Sequence, residues 1–330
     1  MSETTIDRVG IAGEGQRYVV HLAVAIVLSV AVAGILLRPP VPPDETRYLA
    51  VAWEMWQTGD LLVPTRNFDL YTHKPPLLFW LINLVWSLTG VSEVSGRLVA
   101  PLFACLAILL TSSLARRLWP EDDGAASRAA LVLGSMTGFL LYGGLVMFDT
   151  LLTVAVLAGL HALLGALDTG RTRWWLALGG TMAFGVLAKG PVVFVHILPV
   201  TLLAPLLRDP ASRPSWRGYL AGVAIALLFA LAVVSLWLIP ALLEGGDRYA
   251  SAILWEQSAG RVHKAFAHAR PWWFYLAVAP ALLFPWIFMP GLWRAVLRAD
   301  WRDDGLRVVL AWLGPAVLIF GAISGKQAHY

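Results

Sequence analysis

The chain of 330 residues is 58% hydrophobic and 14% charged, with a formal net charge of +4, against roughly 45–50% apolar and about 25% charged residues in soluble domains. Such a composition excludes a soluble enzyme and describes a polytopic membrane protein, and the scatter of basic residues through short loops argues against nucleic acid as a partner. A single cysteine, Cys105, excludes an intramolecular disulfide and a cysteine-based metal site.

Residues 1–17 carry Glu3, Asp7, Arg8, Glu14 and Arg17 and read as a cytoplasmic N-terminus. The apolar run that follows outlasts the roughly 7–15-residue core of a signal peptide and shows no small-residue cleavage pattern before Arg38, so it reads as an uncleaved first span. Runs near the ~20 residues needed to cross a bilayer occur at 18–38, 96–115, 127–145, 147–167, 190–207, 217–240, 272–294 and 306–324. Two shorter runs, 76–90 and 174–188, are settled by the tendency of short cytoplasmic loops to collect Lys and Arg. With 174–188 spanning and 76–90 lying along the surface, four inside loops hold Arg116, Arg117 and Arg128; Arg171 and Arg173; Arg208, Arg213 and Arg217; and Arg294, Arg298, Arg302 and Arg307. The predicted architecture is an all-α membrane protein in which residues 18–330 form one transmembrane domain of nine spans. It has two long outside loops, 39–95 and 241–271. Tyr48, Val51, Ala52, Met55 and Trp56 recur at helical spacing, and with the 76–90 run they predict juxtamembrane helices in the first outside loop.

This topology delivers Asp44, Lys74, Asp149, Lys189, Glu256 and Lys326 to one membrane surface, although they come from across the chain. Ionisable residues at membrane sites are costly unless they have partners or work. Asp44 and Glu45, adjacent at a helix entrance, are suited to activating an acceptor or holding a divalent cation, and equally to capping the helix that follows. Asp149 interrupts the apolar run GGLVMFDTLLTVAV and admits the same two readings. Arg47 is placed to grip a phosphate or to neutralise Asp44. Lys74 and Lys189 each precede a helix that starts with Pro; either alone is a snorkelling lysine, but together with Arg47 and Lys326 they suggest a phosphate site. Glu256 and Gln257 are candidate substrate contacts in the second outside loop. His73, His263 and His268 could ligate a metal, though without paired ligand spacing. Gly179, Gly180, Gly134 and Gly138 suit close helix packing. No Walker-type phosphate loop, dinucleotide fingerprint or nucleophile elbow is present, so no nucleotide cofactor is expected. A lipid or small-solute transporter is the alternative function, weakened by the absence of a mid-span acid or base.

The segments PPDETRYLAVAWEMWQTGDLLVP, HKPPLLFWLI, SEVSGRLVAPL, MFDTLLT, LAKGP, WEQSAGRVHK with PWWFY, and SGKQAHY resemble, in that order, the lipid A 4-amino-4-deoxy-L-arabinose transferases. These are the bacterial branch of the protein O-mannosyltransferase superfamily. The resemblance implies a GT-C-type multi-span bundle in the bacterial inner membrane. It implies transfer of a sugar from a polyprenyl-phosphate donor, on the periplasmic side, to a lipid A-like glycolipid, envelope polymer or protein. By the same match, Asp44 and Asp149 belong to the reaction centre, Arg47, Lys74 and Lys189 contact donor phosphate, and Tyr48 lines the site. Beyond the match, Lys326 is a further candidate phosphate contact, and Glu45, Glu256, Gln257 and Tyr330 are candidate substrate contacts. The chain departs from the aminoarabinose transferases in carrying His73 where they place a Glu linked to metal binding. A histidine can still ligate zinc, but it removes a negative charge. Relatives also continue into further spans and a periplasmic domain.

Overall fold

A computed structural model describes residues 3–207, 214–254, 270–323 and 325–328. The elements in order are α1 (Glu3–Leu37), α2 (Asp44–Thr58), a short hairpin β1–β2 (Thr65–Arg66 and Asp69–Leu70), α3 (Leu77–Thr89), α4 (Glu93–Leu118), α5 (Ala125–Ser135), α6 (Thr137–Gly143), α7 (Asp149–Thr169), α8 (Thr172–Lys189), α9 (Val193–Leu207), α10 (Trp216–Ser251), then α11 (Phe274–Leu282), α12 (Pro290–Leu297) and α13 (Asp304–Ala322). The proposed substrate contacts Glu256, Gln257 and Tyr330, and the histidines His263 and His268, lie outside the described residues.

Five described helices are long and apolar enough to cross a bilayer: Gly15–Leu37, Glu93–Leu118, Asp149–Thr169, Trp216–Leu254 and Asp304–Ala322. The pair α5 and α6, bent by 66°, adds a sixth if taken as one span. The remaining expected spans, 174–188, 190–207 and 272–294, correspond to α8, to α9 and to α11 with α12, and two of the expected runs are not continuous helices. The run 127–145 bends at Met136, and Thr137 there donates its backbone N–H to the Phe284 carbonyl at 2.9 Å. The run 272–294 divides into α11, a 3₁₀ turn at Trp286–Phe288 and the start of α12, with Pro285 and Pro290 at the breaks, where proline removes a backbone donor. α9, with 15 residues, rises only about 22 Å at 1.5 Å per residue. α3, with 13 residues, rises about 20 Å, short of a ~30 Å hydrocarbon core, in keeping with its predicted place along the surface. The second outside loop, expected over 241–271, opens in helix: α10 runs on to Ser251 across a break at Gly246, whose φ of 67° is left-handed.

The core is built around α7, the most deeply buried of the spans. Leu157, Leu160 and Leu163 of α7 pack with Leu178 and Met182 of α8, Ile197 and Val200 of α9, and Ala226 of α10. Small residues set the spacing, as expected where lipid supplies no hydrophobic drive between helices. A Cβ on Gly179 would stand 2.4 Å from the Ala226 carbonyl oxygen, so α8 and α10 touch backbone to backbone there.

Contacts at the helix ends sort the charges. Arg117 at the end of α4 pairs with Asp168 at the end of α7 at 2.7 Å. Trp119 donates to Asp303 at the start of α13, and Tyr219 near the start of α10 donates to the Thr201 carbonyl late in α9. The loops carrying Arg116, Arg128, Arg171, Arg173, Arg217 and Arg302 adjoin these ends, so the bundle has one arginine-rich end. The other end carries Asp44, Lys74, Asp149 and Lys189, the separation on which the predicted topology rests.

Replacing Gly179 with Ala is expected to cost about 1–3 kcal/mol through overpacking and to lower the unfolding temperature in detergent. Gly180→Ala, whose nearest neighbour would be the Phe229 ring at 3.8 Å, is not expected to lower it. Equal behaviour of the two variants would show that the α8–α10 contact yields easily.

Candidate active site

α2 opens the site. Its first residues are Asp44 and Glu45, and neighbouring positions on a helix point about 100° apart. Glu45 turns inward and is 1% exposed. It pairs with Arg38 and lies 3.8 Å from the Nε of the fully buried Arg97. It also accepts backbone N–H groups from Val41 at 2.8 Å and Val146 at 3.0 Å. This carboxylate, grouped by sequence with the substrate contacts, is committed to joining α1, α2, α4 and the turn before α7. Asp44 turns outward and pairs with Arg47 one turn on. The Arg47 guanidinium reaches the Tyr48 hydroxyl at 3.4 Å and stands 5.2 Å from the Tyr48 ring centre. Burial, reinforced by the Asp44 carboxylate, pushes the Tyr48 phenol well above its ordinary pKa, so it stays protonated and can donate.

Between α2 and α3 the chain makes a tight hairpin whose tip, Asn67 and Phe68, has positive φ. Glu54, buried on the far turn of α2, fixes the tip by accepting from the Asn67 N–H, the Phe68 N–H at 3.0 Å and the Thr65 hydroxyl at 2.9 Å. The preceding segment is pinned by Trp80, donating to the Leu61 carbonyl at 2.7 Å, and by Trp237 of α10, donating to the Leu62 carbonyl at 3.0 Å. The hairpin leads into Tyr71, His73 and Lys74. Tyr71 and His73 pack with ring centres 5.5 Å apart, and the Lys74 ammonium lies 5.5 Å from the centre of the Phe148 ring, within cation–π range.

Phe148 joins these parts. It is 1% exposed, edge-on to Tyr48 at 4.9 Å and to Phe79 at 5.5 Å. The next residue, Asp149, opens α7 and pairs with Lys189, the last residue of α8. α7 and α8 are antiparallel neighbours, so the acid sits at a helix N-terminus and the base at a C-terminus, where the helix dipole favours each. The structure thus gathers Asp44, Arg47, Tyr48, His73, Lys74, Asp149 and Lys189 about one floor of Tyr48, Tyr71, Phe79 and Phe148. Lys326 is buried, and its ammonium contacts the carbonyls of Ile323 and of Arg270, the latter at 3.4 Å. Among the described residues no group of three His, Cys, Asp or Glu side chains converges as a metal site.

Sequence reasoning missed Glu54, Phe148 and Arg97. Arg97, fully buried, donates to the carbonyls of Ile35 at 3.1 Å, Arg38 at 3.0 Å and Gly34 at 3.4 Å, closing the C-terminus of α1. An arginine four residues into a long apolar helix was the signal available for it. Chemically, the cluster offers three cations for an anionic group, two carboxylates able to take a proton, and a neutral phenol donor on an aromatic floor.

The profile of the family described as dolichyl-phosphate-mannose-protein mannosyltransferase matches residues 73–239. The undecaprenyl phosphate-alpha-4-amino-4-deoxy-L-arabinose arabinosyl transferase of Pseudomonas aeruginosa (strain UCBPP-PA14) is 32% identical over 296 residues, covering 87% of this chain and 52% of that protein. The enzyme of the same name from Edwardsiella ictaluri is 29% identical over 299 residues, with the same coverage. The chain spans about half the length of the curated relatives it matches. Crystal structures of ArnT from Cupriavidus metallidurans, bound to undecaprenyl phosphate and in the apo state, superpose with TM-scores of 0.74 and 0.75 at 22% and 23% identity. Each covers 94% of this chain, and 57% and 56% of theirs is covered in turn. At that identity the likeness is one of fold, the GT-C-type bundle expected from sequence.

Glu45→Gln removes the buried carboxylate that faces Arg38 and Arg97 and leaves Arg97 only the half-exposed Glu93 as a charge partner, and it is expected to cost about 3–5 kcal/mol, whereas Asp44→Asn, at a partly exposed pair, should cost under about 1 kcal/mol. Thermal unfolding of the two variants side by side would measure this. Comparable losses would contradict the division of labour between the adjacent acids.

Proposed function

Because the chain belongs to the dolichyl-phosphate-mannose-protein mannosyltransferase family, we propose that it carries the donor-side reaction centre of a bacterial inner-membrane glycosyltransferase. The enzyme transfers a sugar from a polyprenyl-phosphate carrier, undecaprenyl phosphate by analogy with its relatives, to a lipid A-like glycolipid on the periplasmic side. The observation that carries this reading is the meeting of Asp44–Arg47, Asp149–Lys189 and Lys74 on one aromatic floor, at the end of the bundle opposite the arginine-rich loops. A donor already resident in the membrane needs no nucleotide site.

In the proposed reaction an acceptor oxygen attacks the anomeric carbon as the bond from that carbon to the carrier phosphate breaks, so the configuration inverts in a single displacement. The polyprenyl phosphate departs with the bonding electrons. In this reading Arg47, Lys74 and Lys189 meet that growing negative charge, and preorganised charge of this kind is the main catalytic term in a site shielded from water. A hydroxyl acceptor must also lose its proton, for which Asp44 and Asp149 are the nearby carboxylate bases; an already ionised phosphate acceptor needs no base. Each acid is paired with a cation, so arrival of the donor phosphate would draw Arg47 and Lys189 toward it and loosen their hold on the carboxylates. Tyr48, held neutral by burial, supplies a hydrogen bond without adding charge.

Membranes containing this protein should transfer radiolabelled sugar from one member of a panel of polyprenyl-phosphate donors. Asp44→Asn should reduce transfer at least about 100-fold, the usual worth of a positioned base, and Lys74→Ala should weaken donor use, both at unchanged membrane levels. Turnover that survives Asp44→Asn would remove the proposed centre, and no turnover with any donor would remove the proposed reaction.

A further inference from the structure

At the arginine-rich end of the bundle, away from Asp44 and Asp149, a cavity of about 300 Å³ opens between the last turns of α4, α7 and α9 and the first turn of α13. That volume is at the lower limit of small-molecule sites, about 300–1,000 Å³. Its wall is aliphatic, with Leu160 and Leu164 of α7, Val200 of α9 and Val308 of α13. Along α7 the lining runs from Leu160 to Asp168, a rise of about 12 Å at 1.5 Å per residue. That is most of the depth of one leaflet in a ~30 Å hydrocarbon core. Water would find few polar partners against such a wall, whereas the surrounding solvent at this depth is acyl chain.

The rim differs in kind. Arg117 donates to the His161 carbonyl at 2.9 Å and to Asp168 at 2.7 Å, and Asp304 lies 3.5 Å from Arg307. The Arg117 guanidinium and the carboxylates of Asp168 and Asp304 thus line the cavity, with Arg307, the partner of Asp304, beside it, where a headgroup would sit above a chain buried in the slot. Charges of both signs complement a zwitterion, while a purely anionic head would meet the carboxylates as repulsion. We propose that this cavity binds one zwitterionic aminophospholipid of the membrane. One acyl chain fills the aliphatic slot, the phosphate lies against Arg117 and Arg307, and the ammonium lies against Asp168 and Asp304. The site is separate from the reaction centre and independent of the function proposed for it.

The test is native mass spectrometry of the protein extracted from nanodiscs holding equal phosphatidylethanolamine and phosphatidylglycerol. The wild type should retain one phosphatidylethanolamine. Leu167→Trp, placing an indole at a half-buried lining position, should reduce retention at least about tenfold, equivalent to ~1.4 kcal/mol of binding. Leu228→Trp, on the exposed flank of α10, should leave retention unchanged. Val308→Phe provides a second filling variant should Leu167→Trp fail to elute as folded protein. A folded wild type that retains no lipid, retention unaffected by filling the cavity, or phosphatidylglycerol bound in place of phosphatidylethanolamine would overturn the proposal.

Discussion

The site end of this protein is built on a charge that lipid and protein interior alike would reject. Arg97 is wholly buried, and removing an ion from water costs several kcal/mol even after relaxation. That penalty is met by the carbonyls that end α1, by Glu93 at 3.0 Å and by the charge of Glu45. Each partner belongs to a different part of the chain or a different turn, so the guanidinium can be satisfied only when α1, α2 and α4 are in register. Glu45 extends the constraint to the turn before α7 through the Val146 N–H. Asp149 follows three residues after Val146, which means that both candidate acids are placed by one buried ionic junction.

α2 shows how a single short helix separates support from chemistry. Its inward carboxylates, Glu45 at one end and Glu54 at the other, are spent on backbone and side-chain donors that fix the loops at either side. Its outward residues, Asp44 and Arg47, remain at the surface of the cluster, paired with each other. The hairpin held by Glu54 and the segment held by Trp80 and Trp237 then bring Lys74 over Phe148. Aromatic contacts, which tolerate small shifts better than hydrogen bonds do, make the floor; directional polar bonds make the frame.

Much of the fold was legible because lipid imposes a coarse rule: long apolar runs are spans, and arginine-rich loops stay on one side. The convergence of Asp44, Lys74, Asp149 and Lys189 followed from that rule alone. What the rule could not give was helix continuity. The bend at Met136 is tied to a carbonyl 147 residues away, at Phe284, a tertiary contact with no local signature, although the prolines that divide 272–294 were in plain view. Sequence also could not separate Asp44 from Glu45. Adjacency suggested a shared role, and only the helical turn between them, with Arg97 waiting on one side, assigns them different ones. Phe148 was unreadable for a related reason, since one more aromatic in an apolar run carries no mark of Tyr48, Phe79 and Lys74, which it meets in the fold.

The contact of Gly179 with Ala226 gives α8 the character of a lever with a fixed pivot. From Gly179 to Lys189 is ten residues, about 15 Å of helix. A tilt of only ~4° at the pivot would therefore move the lysine end by about 1 Å, a displacement that elsewhere costs on the order of 100-fold in rate. The placing of Lys189 is thus set partly at the middle of α8, by the absence of a side chain, and an alteration far from any charged group can shift it.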